Sequence, residues 1–190
     1  MRDVLDDLMR WWQAGAPIGM ATVVGTWKSA PRQPGATMLV GPDGTAVGSV
    51  SGGCVEAAVY ELCQEAIATG KPVVQRYGIS DDDAFAVGLT CGGIIDLLVE
   101  RIDRETFPEL DRVAAAINSS SPAAVLSVIE GPDEQIGRRM VLWPHMKPAF
   151  TATLSSSRSS QLPKLFHSKS RPAHSASTGM PSTRASIGMR

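Results

Sequence analysis

Two thiols stand beside paired glycines, and that repeated setting is where this chain could do chemistry. Residues 48–56 read Gly-Ser-Val-Ser-Gly-Gly-Cys-Val-Glu, which places Cys54 directly after Gly52 and Gly53. Residues 88–93 read Gly-Leu-Thr-Cys-Gly-Gly, which places Cys91 directly before Gly92 and Gly93. Beyond Cys54, the apolar residues Val55, Ala58, Val59, Leu62, Cys63, Ala66 and Ile67 recur at helical spacing, and Gly70 closes the run. Cys54 is therefore expected where a helix begins, beside unpaired N–H groups and the positive end of the dipole, which favour a thiolate. The same donors can hold an anion such as phosphate. Together the two thiols read as one site for a soft metal or an anionic ligand, with Ser51, Gly52, Gly53, Gly92 and Gly93 around them. Either cysteine alone reads equally well as a tight turn around a small buried residue; the shared glycine context favours a site. Cys63 lies on the apolar helix face and is expected in the core.

The elements that must position these turns follow from the apolar pattern. Val4, Leu5, Leu8, Met9, Trp11 and Trp12 form one face of a helix that Gly15 and Pro17 end. Ile18–Thr26 reads as a strand. Ser29–Gly35 holds two prolines, which fix φ and remove donors, so it is expected as an ordered loop carrying Arg32. Thr37–Val40 and Thr45–Val50 flank Gly41-Pro-Asp-Gly44 as a hairpin that delivers the chain to the Cys54 turn. Val73–Ile79 and Ile94–Ile102 read as strands, a helix starts near Pro108 and runs through Val113 and Ile117, and Ala123–Glu130 with Arg138–Trp143 form a last hairpin. The expected class is α+β: a small mixed sheet with hairpins and packed helices over residues 1–143, followed by a disordered tail over 144–190.

Charge supports that division. The chain of 190 residues has a formal net charge of −1. Residues 1–134 nevertheless hold nine basic and nineteen acidic residues, whereas 135–190 hold nine basic residues and no acid. A segment rich in Ser, Arg and Pro, without acids or apolar period, reads as a disordered basic tail or as the product of a frameshift. No aromatic interleaving supports nucleic-acid binding. No apolar run approaches the roughly 18 residues of a membrane span, and the acidic start is no secretory signal. Three unevenly spaced cysteines argue against a disulfide scaffold, so a reducing cytoplasm is expected. Without a Cys-x-x-Cys pair, a closed structural zinc site is not expected.

Ser29-Ala-Pro-Arg32, Pro34-Gly-Ala36, Met38-Leu-Val40, Gly48–Glu56 and Thr90-Cys-Gly-Gly93 before a strand, taken in order, resemble the XdhC/CoxI family. These are accessory proteins of molybdenum hydroxylases such as xanthine dehydrogenase and carbon monoxide dehydrogenase. The resemblance covers roughly residues 1–143. It implies a protein that binds molybdenum cofactor transiently, protects it while it gains a sulfido ligand, and delivers it to the apo-hydroxylase, with a cysteine desulfurase as a further partner and homo-oligomers expected. It implies that Cys54 and Cys91 meet the cofactor, both as metal ligands. A soft thiolate suits molybdenum, glycine N–H groups suit the pterin's phosphate, and Arg32 can pair with an anion. Full-length members continue into a Rossmann-type domain, a pattern that does not follow residue 143 here. Two other readings stay open: a thiol oxidoreductase that uses Cys54 and Cys91 as a redox pair, and a folded remnant without activity.

Overall fold

The computed structural model describes residues 1–78 and 92–144, together with the backbone of 165–169. Helix α1 (Leu5–Gln13) follows a short 3-10 turn and buries Leu5, Leu8, Trp11 and Trp12, the stripe its spacing demands. Strand β1 (Ile18–Trp27) is central to a five-stranded sheet, with β2 (Thr37–Val40) and β3 (Ala46–Gly48) on one side. On its other side lie β5 (Ile94–Ile102) and then β4 (Val73–Tyr77). Helix α2 (Glu56–Thr69) ends at Gly70, whose left-handed φ of 71° lets its N–H reach the Ala66 carbonyl. After helix α3 (Leu110–Asn118), β6 (Ala124–Val128), β7 (Arg139–Leu142) and β8 (Leu165–Lys169) form a second sheet with β6 in its centre.

The α+β class with hairpins stands, with one refinement. Every described pairing is antiparallel, and there are two sheets where one mixed sheet was expected. The five residues of β8 fall inside the expected tail and pair with β6 from Ala124↔Lys169 to Val128↔Leu165. The rest of 145–190 lies outside the described residues.

Alternation along the strands divides the core in two. Ala21, Val23, Met38, Val40, Ile95, Leu97 and Val99 face α2 and meet Val55, Val59, Cys63 and Ala66. Ile18, Met20, Leu39 and Ile102 face the other way, onto α1, α3 and Phe107. Helix α2 lies close to β1 because Gly19 has no side chain: a Cβ there would sit 2.6 Å from the Cys63 Cβ. Cys63 is wholly buried, and that burial pushes its thiol up to about 12. It is core, as its helical position predicts.

Strand direction decides where the chemistry goes. β1, β3 and β4 end, and β2 and β5 begin, at one end of the five-stranded sheet. The loops 28–36 and 49–55, which carry Arg32 and Cys54, therefore hang from that end, and Gly78 and Gly93 lie there where β4 stops and β5 begins.

Candidate functional site

The turn before α2 is organised by a residue to which its sequence motif assigns no role. Glu56 is the first residue of α2, and its carboxylate points back into the preceding turn. It accepts from the Ser49 hydroxyl at 2.7 Å and from the N–H groups of Ser51 at 2.9 Å, Gly52 at 3.0 Å and Gly53 at 2.8 Å. Val50 and Val55 contribute longer N–H contacts of 3.3 and 3.2 Å, and the Ser51 hydroxyl donates as well. That hydroxyl also accepts from the Val55 N–H at 3.1 Å, tying the turn to the helix start. A carboxylate offers about four lone-pair directions, so these donors saturate it and share its oxygens. Burial pushes the Glu56 carboxyl up, but the hydroxyls of Ser51 and Ser49 and the Ser51 N–H outweigh it and bring it to about 2.

The amides of this turn converge on one point, and the group they meet there is the Glu56 carboxylate. The N–H groups of Ser51, Gly52 and Gly53, expected to meet a phosphate, donate to Glu56 instead. Gly52 and Gly53 are needed for backbone shape, with φ of 82° and 117°. The space beside them is open, for a Cβ at either would meet nothing within 4 Å. Cys54 is half-buried, packs against the α2-side core, and precedes the helix N-cap Val55 by one residue. The expected helix start at Cys54 is thus two residues early.

The other candidates are placed as follows. Gly93 lies against the loop after β1; its Cβ would fall 2.8 Å from the Ser29 carbonyl oxygen and 2.9 Å from the Ala30 Cα. Ala30, Ala36 and Cys54 pack on the same core cluster, so the 28–36 and 49–55 loops meet there, with Gly93 against the first of them. Gly92 has φ of 69°, and a Cβ there would meet no described residue within 4 Å. Arg32 is exposed and lines a groove of about 520 Å³ with Met1, Asp3, Val113 and Ile117, a groove that Cys54 does not line. Cys91 lies outside the described residues. Among the described residues, no three His, Cys, Asp or Glu side chains gather as a metal site, and no helix is long and apolar enough to cross a membrane.

A signal for Glu56 was present in the sequence. An acid in the first turn of a helix complements its dipole, and serines just upstream supply short donors. Nothing in spacing alone assigned its carboxylate to the amides of Val50–Gly53 and Val55. The exposed cluster of Trp27, Arg76 and Asp96 at the same end of the sheet was also not foreseen, because it joins β1, β4 and β5 across long sequence separations.

Comparison with known proteins places this arrangement in context. Residues 11–78 match the model of the XdhC and CoxI family. The chain is 36% identical over 115 residues to a probable xanthine dehydrogenase subunit of Bacillus subtilis (strain 168), a match covering 58% of this chain and 34% of that protein. It is 35% identical over 101 residues to the molybdenum cofactor insertion chaperone PaoD of Escherichia coli (strain K12), covering 53% of this chain and 31% of that protein. The chain thus spans about a third of the length of these relatives. A crystal structure of a xanthine dehydrogenase from Bacillus halodurans shares the fold, with a TM-score of 0.63 and 23% identity, covering 88% of this chain and 52% of that one.

Proposed function

From a chain whose residues 11–78 carry the sequence of the XdhC and CoxI family, we propose a molybdenum-cofactor accessory protein. It binds the cofactor transiently and hands it to an apo-hydroxylase such as xanthine dehydrogenase or carbon monoxide dehydrogenase, with a cysteine desulfurase as sulfur source. It holds and delivers; it does not turn over substrate. The observation that carries this reading is Cys54, half-buried beside an open glycine turn at the loop-bearing end of the sheet, inside the family-matched segment.

The residues fit one part of such a cofactor better than another. The Cys54 thiol is a soft donor suited to molybdenum, and Cys91 is proposed beside it as a second ligand. Among the described residues, a Cβ at Gly52, Gly53 or Gly92 would meet nothing within 4 Å, so a ligand can approach the backbone closely there. The cofactor's phosphate is not served by the Ser51–Gly53 amides, which Glu56 occupies. Arg32 is exposed and available for an anion, though it lines a different groove. When bound, the cofactor would supply the molybdenum centre; the chain's own part is to ligate, shield and release it.

The test is copurification from a host that makes the cofactor, read by oxidised-pterin fluorescence. Cys54→Ala should lose most of the pterin, whereas Cys63→Ala should keep it at a modest cost in stability. Equal retention by Cys54→Ala and the parent removes the basis of the reading. A reversible Cys54–Cys91 disulfide with no copurifying pterin would favour redox chemistry instead.

A further inference from the structure

The Gly48–Glu56 turn combines a glycine pair of positive φ, two serine hydroxyls and a run of amides, all aimed inward at one carboxylate. An anion site built this way has no vacancy for a second anion. A phosphate approaching those amides would meet the Glu56 carboxylate and would have to displace donors that already have a charged partner. The outward side of the turn is different. There a Cβ at Gly52 or Gly53 would touch nothing, and Cys54 follows directly.

We propose that Glu56 is a positioning residue for Cys54: its carboxylate is the anion that the glycine turn binds, so the turn offers a cofactor a thiol and not a phosphate cradle. This deepens the reading of Cys54 as the cofactor thiol and rests on it. The chain of cause is short. Glu56 is fixed by its place in the first turn of α2, whose apolar face is anchored by Val59, Cys63 and Ala66. Its carboxylate then fixes the amides on both sides of Cys54, those of Gly53 and Val55. With both neighbours held, the backbone at Cys54 is fixed, and its half-buried side chain packs in part against the core. Remove the carboxylate and Gly52 and Gly53, the most permissive residues of the chain, are free to carry Cys54 elsewhere.

The experiment uses the full chain with Glu56→Gln and Glu56→Asp. Glutamine keeps the size but turns an NH2 toward converging N–H donors; aspartate keeps the charge with a shorter reach. Cys54 alkylation by iodoacetamide, located by peptide mass, should rise by about tenfold or more in Glu56→Gln, as expected for losing charge-assisted bonds. It should rise less in Glu56→Asp, while Cys63 stays protected in both. Pterin retention should fall in Glu56→Gln and be partly restored in Glu56→Asp. Inorganic phosphate titrated into the parent should leave the Gly52 and Gly53 amide resonances in place. Labelling of Cys54 at the parent rate in Glu56→Gln would overturn the proposal. So would unchanged pterin retention, a phosphate shift at both glycine amides, or labelling of Cys63 in step with Cys54 in both variants, which would make Glu56 a residue of the fold at large. If Cys54→Ala keeps its pterin, the functional reading fails while the labelling and phosphate results still decide what Glu56 does to the turn.

Discussion

Strand β5 carries two acids four residues apart on one face, and each meets an arginine that also lies over an aromatic ring. At the loop-bearing end, Asp96 takes Arg76 in a two-point pair of 2.7 and 2.9 Å, and the guanidinium lies 4.8 Å from the Trp27 ring centre. Further along, Glu100 meets Arg139 of β7 at 2.6 Å, without hydrogen-bond alignment at that nitrogen, and Arg139 lies 4.1 Å from the Phe107 ring centre. The chemistry is the same and the setting is not. The Arg76 side chain is 64% exposed, whereas those of Arg139 and Glu100 are each 7% exposed. Burial pushes the Glu100 carboxyl above the usual range, and Arg139 pulls it back only in part. One arrangement joins two sheets through the interior; the other decorates the loop-bearing end of the first sheet.

The largest effect should come from breaking the buried copy. Arg139→Ala leaves Glu100 buried without its counter-charge and removes the bond to the Thr106 carbonyl. We expect a loss of about 3–5 kcal/mol in urea unfolding. Replacing both partners, as Glu100→Leu with Arg139→Met, should cost far less, because the desolvated charges go together. A single replacement that costs under about 1 kcal/mol would mean the pair is not a buried charge pair, and the contrast with Arg76 would vanish.

The turn at Glu56 offers a third way to hold a carboxylate, with oriented donors and no cation. Gly53→Val should disturb it next most, since a β-branched residue at φ of 117° is strained by about 1–3 kcal/mol. The space for the valine is open, so circular dichroism should change little while pterin retention is lost. Normal retention would show that the turn tolerates the strain.

Acid titration separates the two glutamates by sign. The Glu56 carboxyl is depressed, from an ordinary 4.5 to about 2. Its contribution is therefore present above about 4.5 and is lost as pH falls toward 2. Glu100 is raised, so its contribution is present below its unfolded value and fades as pH rises through the folded one. Because Glu56 is partly solvated, we expect about 1–2 kcal/mol from it after screening. Parent stability should fall between pH 4.5 and 2, and Glu56→Gln should flatten that fall. An unchanged slope in the variant would assign the acid sensitivity elsewhere.

Much of this arrangement could be read from the chain. Apolar spacing located α1 and α2, each of which buries one face, and apolar runs located β1 and β5, which pack a core on both faces. Gly70 and the Gly41–Gly44 turn marked their boundaries for the same local reason. The Cys54 turn was also legible as an anion-binding shape, but that the Glu56 carboxylate meets its amides was not. Glu56 lies two residues from Cys54, and whether its side chain points out to solvent or back into the turn depends on the backbone path of Ser49–Gly53. The Glu100–Arg139 pair was invisible for another reason: it spans two sheets, and β5 reads as a continuous apolar strand with Glu100 as an interruption. A second sheet completed by residues 165–169 has no local signature at all in a Ser-rich stretch.

The smallest effect belongs to the exposed copy, and it is the sharpest check on the opening contrast. Arg76→Ala removes a two-point ion pair and a cation–ring contact together. At 64% exposure the guanidinium is hydrated before and after folding, so the pair gains little from the fold. Exposed cation–ring contacts add about 0.5–1 kcal/mol, and exposed ion pairs about 0–1 kcal/mol. The two share one side chain, so the total should stay below about 1 kcal/mol and shrink in high salt. Trp27, already 46% exposed, should show a red-shifted emission once the guanidinium no longer covers it. A loss comparable to that of Arg139→Ala would mean that solvent exposure does not set the strength of these pairs.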